Sequence, residues 1–97
     1  MEKKKLTRTG EFLELLGESI AGVPKLTVSG GNHALVENYR RLVKYSRELI
    51  EIDGGKLTVR IQGEGMEIVS MRREDIMVAG HIFSADFEWK GAGAWTH

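Results

Sequence analysis

Three histidines, His33, His81 and His97, are the residues best suited to metal or proton chemistry, and their spacing serves neither. Zinc sites repeat His and Cys at short helical or hairpin spacings. Here His33 follows a turn, His81 sits beside Gly80, and His97 ends the chain, with no cysteine anywhere. Ser29, His33 and Asp53 can be joined on paper as a nucleophilic triad, but no strand–turn–helix elbow presents the serine. Glu37, Glu67 and Asp75 are the candidate paired carboxylates, and nothing in the sequence brings them together. The glycines at 30–31, 54–55, 63 and 65 open no helix, so no helix N-terminus awaits a phosphate. They are turn glycines. Arg40, Arg41, Lys44 and Arg47, with Tyr39 and Tyr45, form the one grouping that could stack and neutralise a single-stranded nucleic acid. Glu37, Glu48 and Glu51 weaken that field, and a solvated strand face is the stronger reading. No catalytic, cofactor-binding or metal-ligating residue is expected, and no cofactor.

The elements that would position these groups belong to one small domain. A chain of 97 residues buries only about 60–65% of its unfolded surface. Without cysteine it has no disulfide or thiolate metal site to add stability, so self-association is a natural supplement. Lys and Arg (14) balance Asp and Glu (14), so no global field draws the chain to nucleic acid. A hydrophobic fraction of 41% suffices for a folded core.

Residues 1–23 read as a basic start and a short amphipathic helix. Lys3, Lys4, Lys5 and Arg8 resemble the head of a signal peptide, but Glu11, Glu14 and Glu18 interrupt any apolar run behind them. No stretch approaches the ~18 apolar residues of a spanning helix. A soluble chain, or at most a peripheral one, is the expectation. Phe12, Leu15 and Leu16 fall at i, i+3 and i+4 and are widened by Leu13. Two turns of helix are marginal alone and must dock. The chain's own sheet is the first place for them; a membrane surface or a partner is the second.

Residues 24–89 read as a β-domain and residues 90–97 as a flexible tail. Lys25–Ser29, Ala34–Glu37, Arg41–Tyr45 and Glu48–Ile52 are short alternating strands, separated by Gly30-Gly31-Asn32, Asn38-Tyr39-Arg40 and a kink near Ser46. Asp53-Gly54-Gly55 is a hairpin turn. Leu57, Val59 and Ile61 alternate with Thr58 and Arg60 before a turn expected at Gly63-Glu64-Gly65. Met66–Met71 and the stretch from Ile76 to Trp89 follow, separated by the polar turn Arg72–Asp75. In the last stretch Ile76, Val78 and Ile82 share one face, whereas Phe83, Ala85, Phe87 and Trp89 run in the other phase. A one-residue slip near Gly80–Phe83 predicts a bulge or bend. The fold class is all-β: an antiparallel meander of short strands in a small sandwich, roll or barrel, with the short N-terminal helix.

The order of these segments resembles a known family. Val23-Pro24-Lys25-Leu26-Thr27-Val28-Ser29-Gly30, then Val36-Glu37-Asn38-Tyr39-Arg40, then Leu42-Val43-Lys44-Tyr45-Ser46 are similar to the YqfC-like branch of the YabP/YqfC sporulation proteins. The likeness continues through Ile50–Ile52, Gly55–Val59 and Gly65–Ile68, and closes on Met71–Phe83; it covers about two thirds of the chain. Tyr39-Arg40-Arg41 departs from the family's His-Lys-Gly, Arg60–Gly65 looks altered, and the tail after Trp89 has no counterpart. The resemblance implies a protein of endospore-forming bacteria, needed for spore formation. It would be made in the mother-cell cytoplasm and stand peripherally at the forespore membrane. It implies a membrane protein as partner and no catalytic residues.

A non-enzymatic sporulation protein that works through protein–protein contacts is therefore expected. Its partner would be a membrane protein of the sporulation programme or a second copy, with peripheral membrane contact and no nucleic acid. A nucleic-acid-binding β-module is the alternative, and a small hydrolase a distant third. The candidate interaction surface is Met77, Ala79 and Phe83, with Phe12, Leu15 and Leu16 from the N-terminal segment. The strand carrying the first three is apolar in both phases, which suits either a central strand or an interface.

Overall fold

The computed structural model describes residues 23–90; the expected helix and the tail lie outside the described residues. Six antiparallel strands form one open sheet: β1 (Lys25–Ser29), β2 (His33–Glu37), β3 (Arg41–Tyr45), β4 (Leu49–Asp53), β5 (Leu57–Met71) and β6 (Asp75–Trp89). Their order is β1-β2-β6-β5-β4-β3. Strands β3 to β6 run as a meander, and β6 then pairs with β2 of the first hairpin. The all-β antiparallel class is as expected, and the sheet does not close into a barrel.

One expectation is corrected. Gly63-Glu64-Gly65 does not reverse the chain; β5 runs through it for 15 residues. The register against β6 slips there instead, from Gln62↔Ser84 to Gly63↔Ile82, and again between Glu64↔His81 and Glu67↔Ala79. The glycines are used to bend, because β6 carries its own glycine and its own extra residue, Phe83, at the same level. Two paired strands that bend together keep their ladder, and neither has to turn back. The phase slip expected near Gly80–Phe83 is this bulge.

The bend folds the sheet double. A straight strand of this length would separate its ends by roughly 45 Å. Yet Asn38 N–H donates to Glu74 O at one end of the long pair, and Arg40 N–H donates to Asp53 O at the other. Two residues of chain span at most ~7 Å. The far ends therefore meet, and the Pro24 ring of the β1 start lies against Gly54 after β4. Asn38 makes this crossing with φ 63° and donates its side-chain amide to Val23 O at 2.7 Å.

Two arms result. The first holds β3, β4, residues 57–62 of β5 and 84–89 of β6; the second holds β1, β2, residues 75–79 of β6 and 67–71 of β5. Ile50, Ile52, Val59 and Ile61 of the first arm join Ala34, Val36, Ile76 and Val78 of the second in one buried core, with Met66 and Ile82 at the corner. Side chains alternate along each strand, so only one set from each arm can enter that core. On the first arm the outer set is polar, as in Arg60 between Glu51 (3.1 Å) and Glu88 (3.2 Å).

At Gly63 and Gly80 the corner admits no extra atoms. A Cβ on Gly80 would stand 2.6 Å from Met66 Cα at a φ of +147°, and one on Gly63 would overlap the His81 carbonyl. Gly80→Ala is expected to cost at least ~2 kcal/mol. Gly65→Ala, with φ +61° and open space around it, should cost only ~1 kcal/mol. Urea denaturation of the two variants checks this, and equal losses would mean that the corner is not tightly packed.

Where the arms meet at their free ends, Asp53 is buried and satisfied. Its carboxylate accepts from Lys90 Nζ at 2.6 Å, Gly55 N–H at 2.8 Å and Arg41 Nε at 3.2 Å. The Lys90 hydrogen bond leads, Gly55 N–H follows, and burial opposes both, so the pKa falls from 3.8 to about 2. Because the folded pKa lies below the ordinary one, the stability it adds is complete above pH 3.8 and is lost as pH falls through about 2. Asp53→Asn should lower the denaturation midpoint at pH 6 and flatten its decline between pH 4 and pH 2. An unchanged acid slope would remove Asp53 from this role.

Candidate interaction surface

The groups with chemical potential are scattered or engaged. His33 Nδ1 faces Asn32 Oδ1 at 2.9 Å, while Asp53 is held by Lys90, Gly55 and Arg41, so Ser29, His33 and Asp53 are not assembled. His81 is exposed, 3.4 Å from Glu64 and edge-on to Phe83 with ring centres 5.0 Å apart. Among the described residues no group of three His, Cys, Asp or Glu is placed to hold a metal ion. The fold does bring two of the three acids together, since Glu37 and Asp75 are register partners on β2 and β6. With Asn38 and Glu74 they line a shallow cleft of about 240 Å³. Asp75 accepts both nitrogens of the Arg72 fork at 2.9 and 3.0 Å, and Glu37 pairs with Lys25 at 3.9 Å. The pair is legible only from the β2–β6 register, which joins residues far apart in the chain.

The basic-aromatic grouping is also drawn into the fold. The Tyr39 hydroxyl donates to Arg72 O at 2.6 Å, and the Tyr45 hydroxyl accepts from Ile68 N–H at 3.0 Å. Arg41 turns to Asp53 and Arg47 to Glu67. With both hydroxyls bound to backbone, the tyrosines are fixed to the domain.

Met77 and Ala79 lie on the outer face of the second arm, half-buried opposite Leu35 and His33 of β2. Phe83 lies past the Gly80 corner, in the part of β6 that β2 does not reach, and at 62% exposed it is the most exposed large apolar side chain described. The three share a strand without forming one patch. Phe12, Leu15 and Leu16 lie outside the described residues.

The structure adds two residues to this surface. Phe87 and Trp89 oppose the buried Val59 and Leu57, so they lie on the core face of the first arm. They remain 45% and 51% exposed because the second arm does not extend over that edge. Their shared phase with Phe83 was visible in the alternation, but only the fold shows that this end of the core face stays uncovered.

The chain matches one family model, YabP family, over residues 21–94. The chain belongs to the YabP family. The match is to the family as a whole and does not separate its branches. No curated protein and no solved structure matches the chain. Membership in the YabP family is consistent with a sporulation-associated protein. No helix among the described residues is long and apolar enough to cross a membrane.

Phe87→Glu in this YabP-family chain is expected to keep its strand signal and lose no more than ~1–2 kcal/mol, because half of that ring is already in water. Val59→Glu, directly opposite and wholly buried, should unfold the domain. Far-UV circular dichroism and urea denaturation separate the two outcomes.

Proposed function

We propose that this YabP-family chain is a non-enzymatic sporulation protein that acts through protein–protein contacts at or near the forespore membrane. One observation carries the reading: three exposed aromatic residues, Phe83, Phe87 and Trp89, lie along the part of β6 that β2 does not reach. Contiguous exposed apolar groups on a small domain mark an interaction site. Membership in the YabP family supports the sporulation setting. The engaged state of Asp53, Asp75, Tyr39 and Tyr45 supports a structural use for the polar groups, not a reactive one. The partner expected for such a surface is a membrane protein of the same programme or a second copy, with peripheral placement of this chain on the mother-cell side.

The test is complementation. Deleting the gene in its endospore-forming host should abolish heat-resistant spores, and the wild-type chain should restore them. A Phe83→Glu/Phe87→Glu chain, shown folded by circular dichroism, should restore few and should no longer co-purify a membrane protein from sporulating cells. Full rescue by that variant would overturn the contact reading.

A further inference from the structure

We propose that copies of this chain join head to tail through the two open edges of the first arm, residues 84–89 of β6 in one copy pairing with β3 of the next. The proposal rests on the contact reading above and names the second copy as the occupant of the uncovered edge.

The first arm has the order β3, β4, β5, β6, so among the described residues β3 and the end of β6 are its two unpaired borders. Lys90 N–H donates to Lys56 O at 3.0 Å, and hydrogen-bonding residues alternate along a strand. The backbone groups of Ala85, Phe87 and Trp89 therefore point outward, away from β5. An edge of this kind is a template for another strand. The other borders are less open. β1 starts behind Pro24, and the free side of β5 has Met66 N–H bound to Arg47 O and Ile68 N–H bound to the Tyr45 hydroxyl.

The two borders of the first arm complement one another. On the outer face, β6 presents Asp86 and Glu88, whereas β3 presents Arg41 and Lys44. Asp86 and Lys44 have no ion partner among the described residues. On the core face, β6 presents Ala85, Phe87 and Trp89, and β3 presents Leu42 and the half-exposed Tyr45. Pairing β6 with another β6 would set acids near acids, and pairing β3 with β3 would set cations near cations.

Strand direction allows the contact. Each neighbour in the arm is antiparallel to the next, so β3 is antiparallel to β6. A copy displaced along the sheet direction, with the sheet's own twist, presents β3 to β6 in antiparallel sense with both apolar faces on one side. Setting Arg41 opposite Glu88 places Leu42 opposite Phe87, Lys44 opposite Asp86 and Tyr45 opposite Ala85. That register skips Val43, as β3 already does against β4. Because the two surfaces differ, the contact does not close in a pair and builds a ring or an open filament.

Sedimentation of the full chain over a range of concentrations tests this. The wild-type mass should grow with concentration. Asp86→Lys and Lys44→Asp, both at exposed positions and checked as folded, should each raise the assembly midpoint roughly tenfold. An equimolar mixture of the two should assemble again, because every contact then joins opposite charges. The chain has no cysteine, so a complementary assay is clean. Asp86→Cys mixed with Lys44→Cys should cross-link into dimers, and a chain carrying both should give a ladder. A wild-type chain that stays monomeric, a mixture no different from its components, or an Asp86→Cys chain that dimerises alone would each overturn the proposal. A monomeric chain that still captures its membrane protein would overturn self-assembly and leave the contact reading standing.

Discussion

Everything in this domain depends on two long strands bending at the same place. β5 and β6 pair along most of their length, and a flat sheet built on them would bury nothing, since each apolar face would meet water. Folding the pair double lets each arm cover the other. The fold needs backbone approach closer than any Cβ permits, which is why glycines stand at Gly63 and Gly80 and why Met66 fills the inside of the corner. The extra residue at Phe83 re-phases β6, so that Ile82 before the bulge and Ala85 after it both face the core side.

The far ends of the arms then require closure. The Asn38 crossing and Pro24 against Gly54 lie there, and each joins parts of the chain that a straight sheet would hold far apart, while the Asp53 cluster ties the end of the first arm beside them. A carboxylate is tolerated at this buried point because three donors replace the water it loses. These groups are the ones that a search for chemistry would pick out first. In the folded chain they serve as ties.

That surface follows from the size of the domain. Two short arms cannot cover all of one another, and the shortfall falls at the end of β6, where no second strand flanks the chain. The result is a strand that combines open backbone, exposed aromatic rings and an acidic outer flank, opposite a border that is basic. Membership in the YabP family is consistent with a sporulation-associated protein.

Local alternation determined much of this by itself. The strands Lys25–Ser29 and Arg41–Tyr45 were legible to the residue, the others to within a residue or two at most ends, and the slip near Gly80–Phe83 predicted the bulge. These features depend on near neighbours, since burial of every second side chain is a property of one strand. The reading of Gly63–Gly65 as a turn failed because glycine permits reversal and bending alike, and the choice depends on what the partner strand does. The pairing of β2 with β6, the meeting of Glu37 with Asp75, and the exposure of Phe87 and Trp89 were decided by tertiary structure alone. Each depends on contacts between residues distant in the chain, and no local pattern records which apolar face a second layer will fail to reach.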